Sequence, residues 1–210
     1  MVHLVSEVAF GRSMAIPDFP RGSARGLGLS DWEGYATRLA AQMDYTNTFF
    51  HAEPHLDITS VPDSLAHQFD FVVSTDVFEH VIAPVYRAFG GVKRLLKPGG
   101  ALILSVPYVL ESDVTIEHFP ALHEFSVEKG KDGIYRLFNR RRDGVDEVFD
   151  NLIFHGGEGS TLEMRLFSRD SLLRELRDAG FRDVRIVDQP VPEFGIYWHC
   201  AWSLPMVAIA

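Results

Sequence analysis

The stretch FDFVVSTDVFEHVIAPVYRAFGGVKRLLKPGGALILSVPY, Phe69 to Tyr108, decides the architecture. Phe69 to Ser74 is a short apolar run rich in β-branched residues that ends in Ser74-Thr75-Asp76, the pattern of a buried strand opening into a loop. From Pro84 to Leu96, Val85, Phe89, Val92 and Leu96 recur at helical spacing, and Lys97-Pro98-Gly99-Gly100 supplies a cation, a breaker and two glycines to stop the helix. A second buried strand follows from Ala101 to Val106. Strand, helix and strand in so few residues close as a right-handed crossover in a parallel sheet, whose ligands bind beyond the carboxyl ends of the strands. Thr75, Asp76, Pro107 and Tyr108 are therefore expected to face one crevice.

Composition narrows the function classes. At 210 residues with 46% hydrophobic content the chain is expected to form one domain with a proper core. Twenty basic against twenty-nine acidic residues leave a net charge of −9, which repels phosphate backbones and disfavours nucleic acid as a partner. Cys200, the single cysteine, excludes an internal disulfide and fits a reducing compartment. No apolar run reaches membrane-spanning length, and Met1 to Phe10 lacks a basic region followed by a long apolar core, so the chain is read as cytoplasmic.

FDFVVSTDVFEHV followed by RLLKPGGALILSVPY resembles the central portion of a class I S-adenosylmethionine (SAM) dependent methyltransferase, in which an acidic-His pair follows the fourth strand and a Lys-Pro-Gly-Gly turn precedes the fifth. The resemblance implies an α/β fold with a Rossmann-like, doubly wound, mostly parallel sheet closed by a C-terminal antiparallel hairpin. It also implies SAM as cofactor, with Ser74, Thr75 and Asp76 at its methionine end. Phrases such as YTNTFFHAEPHLDI, TIEHFP and FHGGEGSTLEMRLFS look like a bacterial subgroup of methyltransferase-domain proteins, a likeness that carries no substrate with it.

Residues 1–24, broken by Pro17, Pro20 and Gly22, form an N-terminal extension that covers the sheet. Arg25 to Asp31 reads as a glycine turn opening a helix over Trp32 to Met43, with Ser30 and Glu33 as a capping box. Gly26 and Gly28 would let backbone approach the cofactor. Asp31 stands where a dinucleotide fingerprint needs its third glycine; its charge repels a pyrophosphate and suits the sulfonium and amino group of SAM, so a nicotinamide-dependent oxidoreductase is disfavoured. The family's acid before the glycine turn is replaced by Ala24-Arg25, and Asn47, on a strand from Tyr45 to Phe50, stands where an acid often meets the ribose. These departures keep a non-catalytic, methyltransferase-like interaction module as the alternative. Asp57 and Ile58 are matched to adenine contacts, Asp57 being equally suited to capping its own turn.

His80 is the candidate base for a hydroxyl or amine acceptor, or else a residue that lines the crevice, with Tyr108 and His118 as further catalytic candidates. The expected reaction is methyl transfer to an oxygen or nitrogen of a small or medium-sized acceptor. Residues 109–161 form an insertion suited to a lid or a homodimer contact. Within it, Glu124–Glu128, Ile134–Asn139 and Val145–Phe149 alternate like three antiparallel strands joined at Asp132-Gly133 and Asp143-Gly144. Glu117, His118, His123 and Glu124 carry metal-binding side chains, but Pro120 breaks their alignment and no metal is expected. Arg140-Arg141-Arg142 would hold an anion or simply form a solvated turn, and His155 to Ser160 reads as a flexible connector. Leu172, Leu173, Leu176 and Ala179 share one face of a closing helix, followed by a strand at Val184 and Ile186 and its partner from Gly195 to Leu204.

Overall fold

The computed structural model describes residues 1–210. An opening helix, α1 (Val2–Phe10), is followed by β1 (Arg25–Leu29), α2 (Glu33–Gln42), β2 (Asp44–Thr48), β3 (Phe69–Thr75), α3 (Tyr86–Leu95) and β4 (Leu96–Ser105). Near the other end come α4 (Arg169–Asp178), β13 (Arg182–Ile186) and β14 (Met206–Ile209). These strands form one sheet in the order β13-β14-β4-β3-β1-β2. Pairing is parallel from β4 through β3 and β1 to β2, while β14 runs antiparallel to both β4 and β13. This is the expected doubly wound sheet with its antiparallel closing hairpin.

Both faces of the sheet are covered, which explains why β3 is a continuous apolar run instead of an alternating one. Val72, Leu102 and Leu104 pack with Phe89, Val92 and Leu95 of α3 and Leu172 and Leu176 of α4. On the opposite face Phe71, Val73 and Ile103 meet Leu4 and Val5 of α1 and Ala36 and Leu39 of α2. The N-terminal extension thus contributes a helix to the core, as a cover for the sheet. Ser168 caps α4 by accepting a hydrogen bond from Ser171 N at 3.0 Å, so the closing helix begins where its sequence places it.

The insertion is built from short pieces. A small sheet joins β5 (Tyr108–Val109), β6 (Ile116–Glu117) and β12 (Arg165–Ser168) in the order β5-β12-β6. A three-stranded antiparallel sheet follows, β7 (Glu124–Lys129), β8 (Tyr135–Arg140) and β9 (Asp146–Phe149), turning at Gly133 and Gly144 with φ of 81° and 83°. A short pair, β10 (Phe154–His155) and β11 (Thr161–Leu162), returns the chain to the sheet.

Three local expectations are corrected. Gly26 and Gly28 lie inside β1, and the turn falls at Ser30-Asp31. The capping box does not form: Trp32 occupies the cap of α2 and no side chain caps it. The last strand is Met206–Ile209, not the 195–204 segment, where Tyr197 and Trp202 remain exposed and short 3-10 turns replace pairing. No helix is long and apolar enough to cross a membrane.

Candidate active site

The carboxyl ends of β1, β3 and β4 finish side by side, with Leu29 beside Ser74 and Thr75 beside Ser105. Two neighbouring strands end in non-glycine residues of left-handed conformation, Ser30 (φ 56°) and Asp76 (φ 53°), a backbone strain of a kind that concentrates at functional sites. Asp76 N donates to Ser105 O at 2.9 Å, which ties the tip of β3 to that of β4. The hydroxyls of Ser74 and Thr75 are buried and have no hydrogen-bond partner. Tip residues Asp31 and Asp76 are acidic, and no Lys or Arg occurs in the tip segments Ser30–Trp32, Thr48–His51, Ser74–Val77 or Ser105–Tyr108.

One wall of this crevice is organised around Asp31. Its carboxylate accepts from Tyr35 at 2.7 Å and from Tyr45, and its backbone N–H donates to Asn47 Oδ1 at 2.9 Å, while Asn47 Nδ2 donates to Asp31 O at 3.0 Å. Burial pushes the Asp31 carboxyl up to about 6, with the two phenols opposing the shift. Burial and the Asp31 charge push both phenols upward in turn.

The opposite wall follows β3 directly. A 3-10 turn, Phe78–His80, carries Glu79 and His80, and Arg165 on β12 clamps it. The guanidinium, fully buried, donates to Phe78 O at 2.8 Å, Val81 O at 2.6 Å and Glu117 Oε1 at 2.7 Å. His80 Nδ1 is 2.8 Å from Leu162 O and Met164 N donates to Glu79 O at 2.8 Å, so the end of the insertion is stitched to the crevice. His155 reaches the same place: its Nδ1 lies 3.7 Å from Glu79 Oε1, and its Nε2 is 2.8 Å from Glu163 Oε2. Burial pushes Glu79 up to about 8, reinforced by Asp76 and Glu163, and burial pushes His80 downward.

The residues named from sequence fall into three groups. Ser74 and Thr75 end β3, Asp76 follows at its tip, and His80 closes the 3-10 turn beyond. Gly26 and Gly28 act from within β1: a Cβ on Gly26 would meet the Phe71 and Tyr45 rings, and one on Gly28 the Asp31 and Tyr45 side chains. Asn47 spends its amide on the Asp31 backbone. Asp57 Oδ1 accepts from Thr59 N at 2.8 Å and Thr59 Oγ1 at 2.7 Å, and the Ile58 side chain lies in the core. Tyr108 is 2% exposed and its hydroxyl accepts from Leu204 N at 3.3 Å. His118 bonds Glu163 Oε1 at 2.8 Å, and Glu117 neutralises Arg165, so the Glu117-to-Glu124 cluster does not assemble as one site. Arg141 pairs with Asp143 and Glu147 on an exposed hairpin, which fits the solvated turn. His155, Glu163 and Arg165 were not singled out from sequence, because they meet Glu79 only through the insertion's return.

Two concavities lie elsewhere. A groove of about 460 Å³ runs over β7 to β9 beside Phe125, Phe138 and Arg140, and another of about 390 Å³ lies beside Thr59, Arg87 and Arg94. Neither is lined by Ser74, Thr75, Asp31 or Asp76.

An open, mostly parallel α/β sheet with acidic residues at its strand tips is a Rossmann-like architecture. Residues 33–186 match the family model described as "Methyltransferase domain", and the chain belongs to that family. The fold is the Rossmann-like fold of methyltransferases. A search of curated proteins gave no match. Among solved structures, the fold is similar to that of the CurJ carbon methyltransferase (17% identity, TM-score 0.53, 93% of this chain and 51% of that one). It is also similar to the citrinin polyketide synthase CMeT domain (16%, 0.51, 91% and 46%). A chain from the complex of the Haloferax volcanii Trm112 methyltransferase activator is a third such structure (15%, 0.50, 93% and 86%). The chain spans about half the length of the first two.

Proposed function

We propose that the crevice transfers the methyl group of SAM to an oxygen or nitrogen of a small or medium-sized acceptor. The observation that carries this reading is the charge of the strand tips: Asp31 and Asp76, with no Lys or Arg in the tip segments, beside the unpartnered buried hydroxyls of Ser74 and Thr75. When bound, SAM supplies a methyl group on a cationic sulfur. A sulfonium or ammonium placed here recovers part of what burial costs the Asp31 carboxylate, whereas a pyrophosphate would be repelled.

The chain's own residues do the rest. Ser74, Thr75 and Asp76 hold the amino-acid end, and Asp57 with the Ile58 backbone flanks the adenine end. Asn47 fixes the Ser30-Asp31 turn. Gly26 and Gly28 serve indirectly, by giving Tyr45 and Asp31 room to form that wall. Burial lowers the His80 pKa and so favours the neutral ring; its Nδ1–H donates to the Leu162 carbonyl and its Nε2 faces Glu79 Oε1 at 3.7 Å. Tyr108 and His118 hold neighbouring segments in place and are given no proton-transfer role. Proximity and orientation in a site shielded from water then supply much of the rate. The insertion's strands bind to the Glu79 wall and act as a lid over the acceptor. Titration calorimetry with S-adenosylhomocysteine tests the reading. Wild type is expected to bind, Asp76→Ala to bind at least tenfold more weakly, and equal affinity in the two proteins counts against the assignment.

A further inference from the structure

Glu79 is 1% exposed, yet neither of its carboxylate oxygens receives a hydrogen bond. Two imidazoles face it. His80 Nε2 and His155 Nδ1 each lie 3.7 Å from Glu79 Oε1, and the three donor atoms all lie within 4.8 Å of one another. The far nitrogen of each ring is engaged elsewhere. His80 Nδ1 meets the Leu162 carbonyl, which can only accept, and His155 Nε2 meets the Glu163 carboxylate, each at 2.8 Å. Those bonds place the ring protons on the outer nitrogens and aim the inner lone pairs at Glu79. A carboxyl group and two ring nitrogens therefore converge where the buried carboxylate receives no hydrogen bond, and such burial favours either the neutral acid or a bound cation beside it.

We propose that Glu79, His80 and His155 bind a divalent first-row transition-metal ion, with Zn2+ the best match. Two imidazole nitrogens and one carboxylate are a donor set that suits Zn2+ and leaves a coordination position for a water or an acceptor oxygen. The spacing agrees. Bonds of about 2.1 Å in a tetrahedron give donor-to-donor edges of roughly 3.4 Å, so the two 3.7 Å edges close on an ion with a shift of a few tenths of an ångström. The surrounding shell has the form that metal sites use to orient their ligands. Glu163 bridges His155 and His118 with one oxygen to each, at 2.8 Å, and the Arg165 bonds to Phe78 O and Val81 O hold the Glu79-His80 turn from behind. This site uses residues other than the strand-tip hydroxyls and acids, and it stands whether or not the acceptor assignment above is correct.

The test is metal binding by the full chain, measured without SAM. Purified protein stripped with a chelator is dialysed against Zn2+ and, separately, Mg2+, and bound metal is quantified by mass spectrometry. Wild type is expected to retain one Zn2+ per chain and no stoichiometric Mg2+. His155→Ala and Glu79→Gln are expected to lose about 100-fold in Zn2+ affinity, Glu163→Gln about 10-fold, and His123→Ala none. Co2+ gives a second readout: its visible absorption should show nitrogen and oxygen coordination in wild type and lose that signature in His155→Ala. If Glu79→Gln does not fold by circular dichroism, His155→Ala, on a partly exposed side chain, decides the matter. Absence of stoichiometric Zn2+ in wild type, or wild-type affinity in His155→Ala, overturns the proposal and leaves SAM binding untouched.

Discussion

Two buried carboxylates stand on opposite walls of one crevice, and the fold treats them in opposite ways. Burial raises both, Asp31 to about 6 and Glu79 to about 8. Asp31 is surrounded by donors, the Tyr35 and Tyr45 hydroxyls, and its backbone is fixed by both ends of the Asn47 amide. Glu79 is surrounded by acceptors, with two imidazole lone pairs facing it and no donor at either oxygen. The Asp31 carboxylate is hydrogen-bonded from within the chain, and the Glu79 carboxylate is left without a donor. Their scaffolds differ accordingly: the Asp31 wall is a local turn between β1 and α2, while the Glu79 wall depends on a long-range clamp from β12.

The strongest test of that contrast removes the clamp. Arg165→Ala leaves Glu117 without its partner and two backbone carbonyls without donors, and breaking such a buried pair is expected to cost about 3–5 kcal/mol in urea unfolding. A loss below about 1 kcal/mol would show that the turn stands without it. The next test concerns the other wall. Asp31 has a folded value near 6 against about 4 when unfolded, so the folded state holds the proton more tightly. Its stabilising contribution is complete below pH about 4 and disappears as pH rises through 6, a change on the order of 2–3 kcal/mol. Asp31→Asn should lack that decline. Unfolding curves for the two proteins that run parallel between pH 4 and 7 would refute the account of Asp31 as a carboxylate buried against two phenols.

The same contrast explains what could be read in advance. β3, α3 and β4 were legible because an apolar run, a helical period and a Lys-Pro-Gly-Gly break follow one another without ambiguity. The β7-to-β9 sheet was legible because Asp-Gly turns separate alternating segments. β1 was not, since Arg25-Gly26-Leu27-Gly28-Leu29 interleaves glycine with leucine and reads locally as a loop. Only its neighbours reveal why glycine is needed: the Tyr45 and Phe71 rings fill the space a side chain would take. β14 was missed for the opposite reason, because the aromatic segment 195–204 looked more like a strand than Met206–Ile209, although its Tyr197 and Trp202 stay exposed. On the site, strand-tip residues follow from topology, so Ser74, Thr75 and Asp76 were accessible to reasoning. His155 and Glu163 were not, because no local period links them to Glu79. The family match covers residues 33–186, which begin at α2 and do not include β1.

Two smaller substitutions sharpen the reading of the Asp31 wall and the adenine end. Gly26→Ala places a methyl group against the Phe71 and Tyr45 rings, and overpacking of this kind is expected to cost about 1–3 kcal/mol in thermal unfolding. The protein that remains folded should bind S-adenosylhomocysteine as wild type does; weaker binding at unchanged stability would return Gly26 to direct cofactor contact.

Asp57→Ala is expected to have the smallest effect on stability, about 1 kcal/mol, because it removes only the carboxylate that holds Thr59 N and Thr59 Oγ1 in a half-buried turn. Here the two measurements separate two roles for one side chain. The turn sets the path from Leu56 to Val61, and the Ile58 carbonyl approaches Gly91 of α3 so closely that a Cβ there would overlap it, so the backbone at this point has little freedom to shift. With the backbone held by α3, loss of the carboxylate should leave the segment in place and reduce S-adenosylhomocysteine affinity severalfold through the missing contact alone. Equal affinity in calorimetry, together with the stability loss, would reduce Asp57 to a turn-forming residue and leave the adenine end to the Ile58 backbone.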